Sequence, residues 1–359
     1  MSHVLFRFHH VVIPLRLRDF NSYETPPFIF PKVFVTGGKN AMENGIKSNY
    51  IFNQNETSKL PDLPENIGIY GSASVLFNNT PITCGGKKYN GEMTSDCFQF
   101  NGEFWVEFPS LQKPRIGSQM VSYETMLMIT GGGNDLSTEV FNGEAWINGP
   151  QMLRSLSYHC IVSLDNGNFL LIGGSKNFGI LCNCKPIFGF LTGDQLESEA
   201  GKSQHVYLGQ IGSDEWIELP NLIVPRKGHS CGKYRYDNGT QVVIVAGGET
   251  GSKMASDVRL IEVFNTETLK WVLTEQSVPG HPELGLYGAK MVETQDDLFL
   301  LGGRDGYTTV VYNTIYAYHE VFGFYDTGLT MPYSAYDFSA IVWKDNNDDD
   351  DNTDVVQNT

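Results

Sequence analysis

Residues able to do chemistry are few in this chain, and they do not converge in sequence. Eight histidines occur, His3, His9, His10, His159, His205, His229, His281 and His319. None forms an HExxH pair or another helical ligand spacing. No GxSxG, no phosphate-loop lysine and no GxGxxG opening a helix is present. His159 and His229 each start an apolar segment of the same kind, which reads as two core histidines. Cys160 and Cys231 lie in those same segments; no ligand set assembles around either, and buried free thiols are the expectation. Cys182 and Cys184 stand too close together to bridge comfortably. The sequence therefore predicts no catalytic residue, no metal and no cofactor.

What recurs instead is a phrase. Residues 99–109 read QFNGEFWVEFP and residues 140–150 read VFNGEAWINGP. Diglycines close apolar runs at six places: Gly37-Gly38, Gly85-Gly86, Gly131-Gly132, Gly173-Gly174, Gly247-Gly248 and Gly302-Gly303. Their intervals are 48, 46, 42, 74 and 55 residues. Trp105, Trp146 and Trp216 each stand four residues before a proline, and Arg115, Arg154 and Arg226 follow in three units. A repeat of about fifty residues is one supersecondary unit that cannot bury both faces alone.

Each unit parses into four strands. QMVSYE and CIVSLD read as first strands; TMLMITG and NFLLIG read as second strands ending at the diglycine. SDCFQF, STEVF and VRLIEVF read as third strands, and FWVEF, AWING and EWIEL as fourth strands. Asn101-Gly102 and Asn142-Gly143 join third to fourth, as a two-residue hairpin in which both residues take positive φ. A composition with 38 glycines and 12% aromatics suits many short strands with tight turns. On this parse Cys84 and Cys97 lie on neighbouring antiparallel strands, where a disulfide is geometrically allowed.

The recurring order of apolar run, Gly-Gly, aromatic, Trp, Pro and Arg resembles kelch repeats over about residues 32–343. The resemblance implies an all-β, six-bladed propeller with four antiparallel strands per blade, each twisted sheet covering its neighbour's face. KVFVTGG begins the first unit directly at its second strand, and DFSAIVWK (337–344) matches a lone first strand. That C-terminal strand is expected to complete the N-terminal blade and remove an exposed edge. The 74-residue interval reads as one blade with an insertion near 178–203. Residues 1–29 remain unassigned outside the propeller at 30–344, and 345–359 read as a disordered acidic tail. A Cys84–Cys97 pair also resembles the CGG…C arrangement of extracellular kelch proteins.

Strand alternation puts the loops after the diglycines and those before each first strand on one face. The candidates for binding a partner there are Lys87, Lys88, Tyr89, Arg115, Asn134, Arg154, Lys176, Phe178, Arg226, Glu249, Arg304 and Tyr307. Lys39 joins them. The formal net charge is −16, so sequence-independent binding to nucleic acid is not expected. A face locally rich in Arg, Lys and Tyr suits an acidic peptide or loop of a protein partner. The repeated arginines also suit an architectural role, bracing neighbouring loops. The functional expectation is a monomeric, non-catalytic protein-binding module; the alternative is an oxidase-type or carbohydrate-active propeller enzyme with a site in the central funnel. Converging His, Tyr, Glu or Asp at the axis would favour the enzyme, and a small, apolar lining the binder.

Asn55, Asn78 and Asn238 begin glycosylation triplets, with Pro81 weakening the second. With the cysteine pair they point to an extracellular compartment, with a cytoplasmic one as the alternative. Arg7, Arg16 and Arg18 interrupt the N-terminal apolar stretch and make it a poor signal peptide. No run of eighteen apolar residues is present.

Overall fold

The computed structural model describes residues 28–64, 68–133, 136–176, 201–250, 258–279, 285–305 and 310–343. The expectations for residues 1–27 of the N-terminal segment, most of the 178–203 insertion and the tail lie outside these residues.

Six antiparallel sheets form the blades of a β-propeller, each running from an innermost first strand to an outermost fourth. Blade two is the simplest case: Ala73–Phe77, Thr80–Cys84, Cys97–Phe100 and Trp105–Phe108 lie side by side in chain order. Blade three is built the same way from Gln119–Tyr123, Met126–Thr130, Thr138–Phe141 and Trp146–Asn148. Blade four comprises Cys160–Ser163, Asn168–Ile172, Val206–Gln210 and Ile217–Leu219. The long repeat interval is therefore one blade with extra chain between its second and third strands. Blade five runs from Lys227–Arg235 to Lys270–Ser277, and blade six from Lys290–Glu293 to Gly323–Thr330.

Blade one draws on both ends of the repeat region. Val33–Thr36 pairs on one side with Asn49–Phe52 and on the other with Ser339–Val342, in the register Val33–Val342 to Thr36–Ser339. The ring thus closes through the C-terminal strand.

Second strands are apolar almost throughout because neighbouring blades cover both of their faces. Val33–Thr36 is buried at every position, and Met126–Thr130 at four of five. Fourth strands face solvent on one side, and Lys270–Ser277 alternates accordingly. The core lies between blades: Val242 and Ile244 of blade five pack with Leu298, Leu300, Tyr316 and Tyr318 of blade six.

The repeated phrase now has a physical explanation. The Trp146 indole nitrogen donates to the Pro109 carbonyl at 2.8 Å, Trp105 to Pro61 at 3.1 Å and Trp271 to Pro220 at 2.8 Å. Each tryptophan ties its outer strand to the proline that ends the preceding blade. Trp216 departs from the pattern: its indole nitrogen is buried without a hydrogen-bond partner. The diglycines serve the same seams. An added Cβ at Gly37, Gly131 or Gly247 would sit 2.3 Å from a carbonyl oxygen of the next blade, so no other residue allows that approach.

Two expectations need correction. The Asn-Gly pairs are not two-residue hairpins. Phe100 pairs with Trp105, leaving a four-residue loop in which Gly102 takes φ 101° while the Asn101 side chain accepts hydrogen bonds from the amides of Glu103 and Phe104. Nor are Cys160 and Cys231 free thiols. They form a disulfide joining the innermost strands of blades four and five, with Cα atoms 6.0 Å apart. The sequence reading took each cysteine within its own blade, and their pairing depends on first strands meeting around the axis. The Cys84–Cys97 disulfide is present as expected, bridging adjacent strands of blade two.

Candidate functional site at the axis

One residue of each blade, at or just before the start of its innermost strand, reaches the axis. Gly71 donates its amide hydrogen to Asp337 O, Gly117 to Gly71 O, Tyr158 to Gly117 O, Gly228 to Tyr158 O, Gly288 to Gly228 O and Asp337 to Gly288 O. These six bonds, 2.7–2.9 Å long, close a complete ring. Every member has positive φ, from 52° at Tyr158 and Asp337 to 67° at Gly288. Glycine fills four positions because it adopts this conformation at little cost. Tyr158 and Asp337 do not share that freedom. A bulky residue held in left-handed backbone is the kind of strain that collects at functional sites.

Blade order sets Tyr158 and Asp337 three positions apart in the ring, on opposite sides of the axis. Glycine neighbours make room for both. A Cβ on Gly117 would lie 2.9 Å from the Tyr158 ring, and one on Gly288 2.8 Å from Asp337 Oδ1. Burial pushes the Asp337 carboxyl up to about 6, although Lys290, Lys39 and Arg304 draw it down. Burial likewise raises the Tyr158 and Tyr287 phenols above their ordinary range.

Around this centre stands an aromatic and cationic collar on the diglycine side. The Tyr287 ring centroid lies 6.4 Å from that of Tyr158 and 6.3 Å from that of Tyr336. The Arg304 guanidinium carbon sits 5.0 Å from the Tyr287 centroid and 4.9 Å from the Tyr336 centroid. Lys39 Nζ lies 4.2 Å from the centroid of Tyr70. Such contacts hold a cation while leaving it able to meet an anion. Glu43, exposed and at φ 61°, reaches Lys39 at 2.9 Å and Arg304 at 3.9 Å. Burial alone would raise its carboxyl, but Tyr336, Lys39 and Arg304 bring it below the usual value.

Inside the ring runs an axial channel of about 210 Å³, lined by Ser72, Ser74, Gln119, His159, His229 and Lys290 among others. The histidines are buried, as read from sequence. Desolvation brings His159 down to about 3, with Lys290 adding to the shift, and His229 is lowered by the same kinds of cause.

The predicted binding residues divide by environment. Segments after the diglycines pair with those before the first strands: Tyr70 with Lys87, Leu156 with Lys176, Lys227 with Glu249 and Tyr287 with Arg304. These residues therefore share one face. Tyr89 is two-thirds exposed there, and Lys88 pairs with Asp96 at 2.9 Å. Glu249 pairs with Lys227 and Lys202. Arg154 is half-buried.

Arg115 and Arg226 are fully buried. Arg115 donates to Glu139, Gly131 O and Ser137, and Arg226 to Glu262, Gly247 O, Val258 O and Leu260 O. Both brace a diglycine turn against a third strand, which leaves them no exposed donor for a partner. Asn134, Phe178 and Tyr307 lie outside the described residues. Asn55, Asn78 and Asn238 are exposed.

Sequence reasoning missed Asp337, Tyr158, Tyr287, Tyr336 and Lys290. A signal existed: Tyr70-Gly71-Ser72, Ile116-Gly117-Ser118 and Tyr287-Gly288-Ala289 align with Ser157-Tyr158-His159 and Tyr336-Asp337-Phe338, where the glycine is replaced. Among the described residues no group of His, Cys, Asp and Glu has the arrangement of a metal site, and no helix is long and apolar enough to cross a membrane.

No protein-family model matches the chain, and no curated protein matches it. Among solved structures it is similar to YjhT, with a TM-score of 0.59 at 13% identity, over 84% of this chain and 98% of that one. A likeness at that identity is one of fold, and the chain is a six-bladed β-propeller.

Proposed function

We propose that this protein is a kelch-type propeller that works by binding, taking an acidic loop or peptide of a protein partner on its diglycine face. The observation that carries this reading is the collar of Lys39 and Arg304 over Tyr70, Tyr287 and Tyr336 at the centre of that face. A partner carboxylate entering there displaces Glu43 and gains two cations already oriented by aromatic rings. Tyr89, exposed nearby, supplies an apolar contact of the kind that anchors interfaces. Two disulfides and three exposed Asn-x-Thr triplets support an extracellular setting with glycan attachment.

The test is affinity purification with mass spectrometry, wild type beside a Lys39→Ala/Arg304→Ala variant, followed by titration of an acidic peptide from any partner found. Loss of the partner from the variant supports the reading. Full retention of every partner, with unchanged peptide affinity, overturns it.

A second reading has its own support. Asp337, Tyr158, Tyr287 and Lys290 converge at the axis, and such convergence favours a propeller that acts on a small polyhydroxy molecule. In that case Asp337, able to exchange a proton near neutrality, is the acid–base group and Tyr158 faces it across the substrate. Turnover of a sugar panel that disappears in Asp337→Asn while binding persists would favour this reading.

A further inference from the structure

Lys290 is the least explained residue in the structure. It opens the innermost strand of blade six and lines both the axial channel and a void of about 20 Å³ beneath the hydrogen-bonded ring. No acid among the described residues lies within ion-pair distance of it. Its charge is felt by His159 of blade four, His229 of blade five and Asp337 of blade one. That reach places the ammonium near the axis. Glu293, at the far end of the same strand, is occupied by Lys233 at 3.4 Å and by the Lys233 amide at 2.6 Å. The half-buried Lys290 ammonium has no acid in contact and only the Asp337 carboxylate as an attractive charge, a costly placement for a cation.

The channel around it is furnished with hydrogen-bonding groups. Ser74 of blade two lines the channel, and its hydroxyl is buried without a hydrogen-bond partner. Ser118 of blade three lines the small void in the same unpartnered state. Gln119 belongs to both cavities. Buried polar groups are ordinarily satisfied, and an unsatisfied hydroxyl in each of two cavities that share Lys290 describes the complement of an anion. The volume of about 210 Å³ holds an oxyanion with several waters. The lining extends from Lys290 to Ser163 and Glu293 at the far ends of the innermost strands, so the channel leads away from the diglycine face.

We propose that this channel is a binding site for a small oxyanion, held by the Lys290 ammonium at its inner end with the Ser74 hydroxyl and the Gln119 amide. The site is distinct from the collar of Lys39 and Arg304, which lies on the other side of the ring. Asp337 stands between the two, and its negative charge limits affinity in the channel.

The experiment is isothermal titration with inorganic phosphate and, separately, acetate, at fixed ionic strength set with chloride, on the full chain. Wild type is expected to bind phosphate saturably; Lys290→Gln is expected to bind at least tenfold more weakly, and Asp337→Asn more tightly. Lys59→Ala, exposed on the outermost strand Thr57–Leu60 of blade one, is expected to bind as wild type does. Because Lys290 has no ion pair to lose, Lys290→Gln should fold; if it does not, the Ser74→Ala/Gln119→Leu double variant makes the same comparison. Acetate binding without phosphate binding, weakened in Lys290→Gln, narrows the ligand to a carboxylate and also supports the site. Absence of saturable binding of either anion overturns the proposal, as does equal affinity in Lys290→Gln or loss of binding in Lys59→Ala.

Discussion

Replacing Cys160 and Cys231 together by alanine should destabilise the protein more than the same change at Cys84 and Cys97. The two bridges differ chiefly in the chain they enclose: 71 residues of separation against 13. In the loop-closure account, a cross-link removes unfolded-state entropy that grows with the logarithm of that length. The estimate is about 4.4 kcal/mol for the long loop and about 2.9 kcal/mol for the short one. Both pairs are buried and lose the same atoms, so packing losses largely cancel in the comparison. A difference of about 1.5 kcal/mol remains. The long bridge also pins blade four to blade five, on either side of the chain inserted in blade four. Urea denaturation followed by tryptophan fluorescence measures the effect; with a slope of about 3 kcal/mol per molar, the midpoints should differ by about 0.5 M. Non-reducing peptide mapping comes first, since unlinked peptides from Cys160 and Cys231 would end the matter. With both bridges confirmed, equal midpoints, or a lower midpoint for the Cys84/Cys97 variant, would refute the reasoning.

Asp337 gives a prediction with a definite sign. Its folded value of about 6 lies above the ordinary 3.8, so its contribution to stability is fullest below about pH 4. As pH rises through 6, up to about 3 kcal/mol is lost. Asp337→Asn should flatten the stability profile between about pH 4 and 7 in chemical denaturation; a profile parallel to wild type would contradict the buried carboxyl. Glu262→Gln leaves the Arg226 guanidinium buried without its counter-charge and should cost about 3–5 kcal/mol, read as a shift in urea midpoint; a cost under about 1 kcal/mol would show that the carbonyls alone satisfy Arg226. Trp146→Phe loses the bond to Pro109 and should cost about 1 kcal/mol from that bond. Trp216→Phe has no indole hydrogen bond to lose, so the two variants should separate in thermal denaturation by at least that amount.

The blades were readable because each repeat carries its own strands and turns locally. The diglycine register, the apolar second strands and the Trp–Pro spacing gave the number of sheets and the closing partner of Val33–Thr36. Asn101 and Asn142 marked turns correctly, although the side chain rather than a positive φ of the asparagine makes the turn. What could not be read was everything built across blades at the axis. Cys160 meets Cys231, and Tyr158 faces Asp337, only after the ring closes, and no local pattern specifies which first strands become neighbours in space. A repeated arginine suits bracing as well as binding, and the sequence at Arg115 and Arg226 named the bracing role without its partners. Glu139 and Glu262, each on a third strand, were the overlooked acids that take them inside.

The sewing of Ser339–Val342 onto Val33–Thr36 has a consequence for biosynthesis. The sheet that leaves the ribosome first is the last to be completed, after some three hundred further residues have been made. Until then Val33–Thr36, buried at every position in the finished ring, presents a bare apolar edge to its surroundings. A chain truncated before residue 339 is therefore expected to self-associate through that edge, as light scattering would show.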